Sequence, residues 1–181
     1  MLLGGLDARL SYHGKSHTLN DVLPAATLMS GQFGLKENDE ILLKTAMLFH
    51  DVGYLIQSEN NEAIGADMAQ MGLPEYGYDE AQITVITELI MVTAMPQQPK
   101  TLMKKIICDA DLDSLWRPDY LEVSKGLLKE LNSLGGNISD RNWWLRQEEF
   151  LQNHDYFCPD KENFKHQGKQ RNIEKLKHIT E

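Results

Sequence analysis

The sequence predicts an all-α protein, a single-domain helical bundle of about seven or eight helices. Apolar residues recur three and four positions apart in almost every long segment. Glycine and proline stand between these segments, where helices commonly begin and end. The chain contains no Asn-Gly hairpin signal and no pair of alternating apolar segments. Its 181 residues suit one domain, so we assign residues 1–181 to a single domain.

The segment "NDEILLKTAMLFHD" predicts the central helix of the bundle. Its apolar stripe is too wide for a surface helix, which indicates that neighbouring helices cover it on several sides. We expect Asn38 to cap the start of this helix and Gly53 to end it.

The remaining helices follow in order along the chain. "NEAIGADMAQMG" predicts a short helix, and "DEAQITVITELIMVTAM" and "PKTLMKKIICDADLDSLW" predict longer ones bounded by prolines. The β-branched run "ITVIT" is compatible with a strand, but its flanks continue the helical spacing, so we predict a helix there. "LEVSKGLLKELNSLGG", "SDRNWWLRQEEFLQN" and "KENFKHQGKQRNIEKLKHI" predict the C-terminal helices within residues 118–181.

Composition and charge exclude several classes of protein. The chain is 41% hydrophobic and 25% charged, as is usual for soluble domains, and it has neither a signal peptide pattern nor an apolar run that could span a bilayer. Its net charge of −9 disfavours a nucleic acid polymer as partner. Cys108 and Cys158 show no motif spacing and fit a reducing compartment, so we expect a cytoplasmic protein. Between Lys44 and Lys100 there is no lysine or arginine, and such an acidic segment attracts cations.

Four places in the sequence carry side chains of the kinds that bind metals. They are His13 and His17, the pair His50-Asp51, the pair Asn61-Glu62, and the aspartates Asp109, Asp111 and Asp113. Imidazole and carboxylate together are typical ligands of divalent transition metals. Helical periodicity does not choose among the three aspartates, because all three border the apolar stripe of their helix. A second His-Asp pair, His154-Asp155, lies in a polar context, and we interpret it as structural.

Four segments of the chain resemble the HD superfamily of metal-dependent phosphohydrolases. They are "YHGKSHTLNDVLPAA", "LFHDVGY", "ENNEAIGADMA" and "IICDADLDSL", which follow the family's order of a histidine, a His-Asp pair and a distant aspartate. The similarity covers residues 11–115, and the C-terminal helices resemble the tail of small single-domain members.

The resemblance implies a site for one divalent metal ion, which could be Mn, Fe, Co, Ni, Zn or Mg. Its ligands would be His17, His50, Asp51 and Asp111, and the preference for Asp111 over Asp109 rests on the resemblance alone.

The resemblance also implies roles for residues beside the metal. His13 matches a proton donor to the leaving oxygen, and with Asp51 it forms the expected catalytic pair. Lys15 is a weaker candidate for contact with a phosphate oxygen. Members with two metals often carry a histidine where this chain has Asn61, and the asparagine favours a single ion. Glu62 is expected either near the ligands or merely as an acidic residue at a helix start.

The function implied is that of a metal-dependent phosphohydrolase. It would hydrolyse a phosphomonoester or phosphodiester bond of a small phosphorylated metabolite or nucleotide with a metal-activated water. The alternatives are a regulatory HD module that binds a metal or nucleotide without turnover, and a helical scaffold without metal. No membrane partner is expected, and a homodimer is compatible with the sequence.

Overall fold

A computed structural model describes residues 2–160 and 162–181, and over these residues the chain is all-α, without any strand. The predicted fold class is therefore confirmed. The described part contains eight α-helices: α1 (Leu23–Gln32), α2 (Glu37–Phe49), α3 (Asn61–Gly72), α4 (Glu80–Met91), α5 (Leu102–Asp111), α6 (Tyr120–Ser133), α7 (Asp140–Asn153) and α8 (Phe164–Thr180).

Short helical turns adjoin three of the elements that carry the predicted site. A π-helical turn, His17–Val22, runs directly into α1. A 3₁₀ turn, Val52–Leu55, follows α2, and another, Asp113–Trp116, follows α5. Because these turns redirect the backbone at helix ends, side chains of different helices can converge there.

The central position of α2 is confirmed by its burial. Leu43, Ala46 and Met47 are 0% exposed, and α2 contacts α1, α3, α4 and α5. The β-branched run "ITVIT" lies within α4, as predicted, and Asp79 and Gln82 form a capping box at the start of that helix.

Both predicted boundaries of α2 are wrong. The helix begins at Glu37, and the extended residue before it is Lys36, so Asn38 is already inside the helix. The helix ends at Phe49, and Gly53 lies in the 3₁₀ turn that follows. Gly53 does not adopt the left-handed conformation that ends many helices.

The buried apolar side chains form two clusters. The first lies among α1 to α5 and includes Leu43, Ile86 and Ile107. The second lies among α6, α7, α8 and the turn after α5, with Leu115 and Leu151 as members. Among the described residues, no helix is both long and apolar enough to cross a lipid bilayer.

Two glycines let α3 approach the end of α2 at backbone distance. A methyl group on Gly53 would lie 1.9 Å from the carbonyl oxygen of Asn61, the first residue of α3. A methyl group on Gly65 would lie 2.6 Å from the carbonyl oxygen of Phe49. Neither position accommodates a side chain, so the glycines keep α3 against the turn that carries His50 and Asp51.

This contact predicts opposite outcomes for two Gly→Ala substitutions in α3. Gly65→Ala should lower the free energy of unfolding by about 1–3 kcal/mol, because the added methyl group forces the two backbones apart. Gly72→Ala should leave the free energy of unfolding within about 1 kcal/mol of the value for the unsubstituted chain, or raise it. A methyl group there meets no atom within 4 Å, and alanine favours helix. Equilibrium urea denaturation measures both values, and equal effects would contradict the close contact.

Candidate metal centre

Four polar side chains from three parts of the chain converge at the ends of their helices. His17 begins the π-helical turn before α1, His50 and Asp51 follow α2, and Asp111 is the last residue of α5. His17, His50 and Asp51 are at most 6% exposed. These are the four residues that the sequence resemblance implies as ligands.

The nitrogens and oxygens of this group lie close together. Asp111 Oδ1 is 3.4 Å from His17 Nε2 and 3.4 Å from His50 Nε2. Asp51 Oδ2 is 3.1 Å from His50 Nε2 and 3.8 Å from His17 Nε2. One donor atom each from His17, His50 and Asp51 lies within 4.8 Å of the other two. Such spacing allows one small cation to contact all of them.

The outward nitrogen of His50 has a partner of the type that orients metal ligands. His50 Nδ1 donates a hydrogen bond to the carbonyl oxygen of Met47 at 2.7 Å, which leaves Nε2 to face the carboxylates. His17 Nδ1 lies 4.0 Å from Asp21, beyond hydrogen-bond distance, and the other oxygen of Asp21 accepts a hydrogen bond from Arg117 at 2.8 Å.

The inward atoms are buried without a hydrogen-bond partner. This holds for His17 Nε2, His50 Nε2 and Asp51 Oδ2, and elsewhere in the described residues it also holds for Thr18 Oγ1 and both ring nitrogens of His154. Buried polar atoms normally have a partner, because losing hydration without compensation costs free energy. A divalent cation would satisfy all three atoms at once, so these residues fit the metal ion that the sequence implies.

The carboxylates and imidazoles shift each other's pKa. Burial opposes protonation of His50, but the charge of Asp51 and the contact with Asp111 prevail, and the pKa of His50 lies well above its ordinary value. Burial also opposes ionisation of Asp111, yet the contacts with His17 and His50 prevail and hold its pKa below the ordinary value. The site thus favours positive charge between its two carboxylates.

Asp109 and Asp113 make other contacts. The carboxylate of Asp109 accepts the backbone N–H groups of Phe157 and Cys158 at 2.9 and 2.7 Å and so ties α5 to the segment before α8. Asp113 accepts the indole N–H of Trp116 and pairs with Lys165, both at 2.9 Å. Asp111 is therefore the aspartate of the three that contacts the histidines.

Asn61 stands beside the carboxylate of Asp51. Its side chain is 5% exposed, and its amide nitrogen lies 3.5 Å from Asp51 Oδ1. An amide N–H group donates hydrogen bonds and cannot ligate a cation, so this arrangement favours a single ion over two. Glu62, the next residue, lines the cavity described below.

His13 lies outside the four-residue group and forms a second feature. Its ring centroid is 6.2 Å from that of His17, and its ring stacks on Tyr54 at 4.3 Å. Its Nδ1 is 2.5 Å from Glu130 Oε1. Glu130 is 1% exposed and also accepts the backbone N–H groups of Tyr12 and His13 at 2.7 and 3.0 Å.

The Glu130 contact changes the protonation of His13. Burial opposes the charged imidazole, but the hydrogen bond to Glu130 and the surrounding carboxylates prevail, so the pKa of His13 is raised. The opposite shift occurs in Glu130, where burial is outweighed by the contact with His13 and the pKa is lowered. The buried Glu130 and the half-buried His13 thus form a hydrogen-bonded pair, and Nε2 of His13 is not part of it.

A cavity of about 320 Å³ joins the two features. Asp51, Asn61, Asp111 and His13 line one end of it, and it continues between α6 and α7. Its volume falls at the lower end of the roughly 300–1,000 Å³ that is usual for small-molecule sites.

Sequence reasoning missed Glu130, which lies 117 positions from His13. The one signal was its position three residues after Leu127, on the apolar side of α6, where a lone glutamate needs a partner.

Two other predictions concern residues away from the site. Lys15 is exposed and is not among the residues that line the cavity. His154 is buried in contact with Phe150 and Tyr156, where burial lowers its pKa to about 4.

Comparison of the chain with protein-family models, with curated proteins and with solved structures finds no match.

The geometry predicts that Asp111 and Asp113 differ in their effect on metal binding. Asp111→Asn should weaken Mn²⁺ affinity by more than about 100-fold, because even partners outside the ligand shell contribute 10–100-fold. Asp113→Asn should leave the affinity unchanged while it removes the ion pair with Lys165. Titration calorimetry on the chelator-treated chain measures both. Unchanged affinity in Asp111→Asn, with loss in Asp109→Asn, would show that the other aspartate is the ligand.

Proposed function

We propose that this protein is a metal-dependent phosphohydrolase that cleaves a phosphoester bond of a small phosphorylated molecule. The observation that carries the proposal is the group of three buried donor atoms without a partner, which lies beside a cavity that Asp51, Asp111 and His13 line. The resemblance of the sequence motifs to the HD superfamily supports the same reaction.

His17, His50, Asp51 and Asp111 would hold one divalent ion. When bound, such an ion lowers the pKa of water and neutralises negative charge on a phosphoryl oxygen. The carboxylate of Asp51 faces both the cavity and the histidines, so it can accept a hydrogen bond from the attacking water and orient it.

His13 would protonate the leaving group. Water adds to phosphorus, the bond between phosphorus and the ester oxygen breaks, and that oxygen takes the proton from Nε2 of His13. The hydrogens of the water stay on the phosphate, and His13 regains a proton from solvent when the products leave. Since Nδ1 is bound by Glu130, the proton available to a ligand in the cavity is the one on Nε2. The raised pKa of His13 favours the protonated form that a proton donor requires.

Glu130 would act as a positioning residue. It fixes the backbone at Tyr12 and His13 with two hydrogen bonds and orients the imidazole with a third. Tyr54 stacks on the face of the imidazole and limits rotation of the ring.

A substrate panel tests the proposed reaction. The chain is treated with chelator, reloaded with Mn²⁺, Co²⁺ or Ni²⁺, and offered 4-nitrophenyl phosphate, bis(4-nitrophenyl) phosphate and a set of nucleotides. We expect metal-dependent release of phosphate or nitrophenol, loss of that activity in Asp111→Asn, and retention in Asp113→Asn. If no ester is cleaved and metal still raises the melting temperature, the regulatory interpretation replaces this one.

The pH profile of a Glu130→Gln variant tests the role of the buried pair. The substituted side chain keeps the size of glutamate and an acceptor oxygen but loses the charge, so the pKa of His13 should fall. A proton donor works below its pKa, and the alkaline limb of kcat/KM should therefore move to lower pH by about one unit. Glu122→Gln, on the exposed side of α6, is the matched control and should leave the limb in place. If the alkaline limb of kcat/KM stays at the same pH in Glu130→Gln, Glu130 does not raise the pKa of a catalytic His13.

A further inference from the structure

The cavity has a second end that the proposed reaction does not use. Beyond the metal ligands it runs between α6 and α7 toward the second apolar cluster. Its walls there are mostly aliphatic or aromatic: Leu112, Leu115, Val123, Leu127 and Phe150. An apolar wall favours an apolar part of a ligand, because burying that part removes it from water.

Two polar groups lie among these apolar walls. Gln147 Oε1 accepts the hydroxyl of Tyr120 at 2.7 Å, which leaves the amide N–H₂ of Gln147 as its donor. Ser124 Oγ accepts the indole N–H of Trp143 at 3.0 Å. The amide N–H₂ of Gln147 is a neutral donor, and it suits an uncharged acceptor oxygen on a ligand.

The charges in the cavity limit what can enter it. Among the described residues that line it there is no lysine and no arginine, whereas Asp51, Glu62 and Asp111 contribute carboxylates. Arg117, which pairs with Asp21 beside the site, is also held by Asp119 at 2.8 Å. A phosphate group away from the metal ligands would therefore meet the carboxylate of Glu62 or the apolar walls, with no lysine or arginine to balance its charge. The imidazole of His13, which also lines the cavity, is already bound by Glu130.

From these features we infer that the substrate is a phosphomonoester of an uncharged, largely apolar alcohol. Its phosphate would lie at the metal ligands and its apolar body between α6 and α7. The inference rests on the proposed function and narrows it: nucleoside diphosphates and triphosphates are disfavoured.

The size of the cavity limits the alcohol as well. A volume of about 320 Å³ is roughly twice that of the ~150 Å³ cavity known to hold one benzene ring. Because the phosphate would occupy part of this volume, the remaining space suits an alcohol with a body of about one or two rings. The reaction consumes one water, releases this alcohol with the proton from His13, and leaves inorganic phosphate.

Two measurements with naphthyl probes test the inference. Fluorescence titration of the full chain with 2-naphthol, in chelator, measures binding of the apolar body alone. With Mn²⁺ present, kcat/KM for 2-naphthyl phosphate is compared with the values for ADP and ATP. We expect saturable naphthol binding and at least about a tenfold preference for the naphthyl ester, since each unpaired phosphate charge costs more than a factor of ten.

Two tryptophan substitutions on α6 locate the binding. Val123→Trp fills the apolar end and should weaken naphthol binding by about tenfold or more. Glu122→Trp places the same ring on the exposed side and should leave binding unchanged. Absence of naphthol binding, or equal binding by both variants, would overturn the inference.

The turnover results separate this inference from the proposed function. Hydrolysis that favours ADP or ATP would overturn the substrate class and leave the phosphohydrolase proposal standing. If no phosphoester is cleaved with any metal, the proposed function fails and the substrate inference fails with it. Naphthol binding that Val123→Trp weakens would then still locate an apolar ligand site.

Discussion

The backbone contact between α3 and the end of α2 is the constraint on which the rest of the site depends. Burial of a helix end that carries two polar side chains is unfavourable by itself, because the polar groups lose their hydration. Gly53 and Gly65 let α3 lie so close that its backbone takes up the space where side chains would otherwise be. This contact also brings Asn61 to Asp51, so the carboxylate has one oxygen beside an amide and the other toward the histidines.

Burial of charge then determines the chemistry of the four-residue group. Two carboxylates enclosed by protein repel each other, and their burial is unfavourable unless positive charge lies between them. The raised pKa of His50 and the lowered pKa of Asp111 have this common cause, because a proton on His50 supplies part of the positive charge that the carboxylates require. A divalent cation would supply more of it, and it would also give partners to the nitrogens that a single proton leaves unsatisfied.

The helices were predictable because their apolar spacing is strong, and the site was predictable only where the motifs are local. The capping prediction at Asn38 was wrong because acidic residues suit the first turn as well as the cap, and α2 simply starts earlier. The choice among the three aspartates could not come from periodicity. It depends on contacts of Asp109 with residues 157–158 and of Asp113 with Lys165, which no local pattern encodes. Glu130 was missed for the same reason, since its partner is distant in sequence.

The two halves of the chain contribute different properties to one cavity. Elements up to α5 supply the residues of the proposed metal site, whereas α6 supplies both Glu130 and the apolar wall around Val123 and Leu127. The proposed ligands lie at the ends of helices in the first cluster, and the wall belongs to helices packed in the second. In the proposed function, metal affinity and substrate choice would therefore be controlled by separately packed groups of side chains. Sequence changes in α6 and α7 would then alter the apolar group that fits while the contacts among His17, His50 and Asp111 stay as they are.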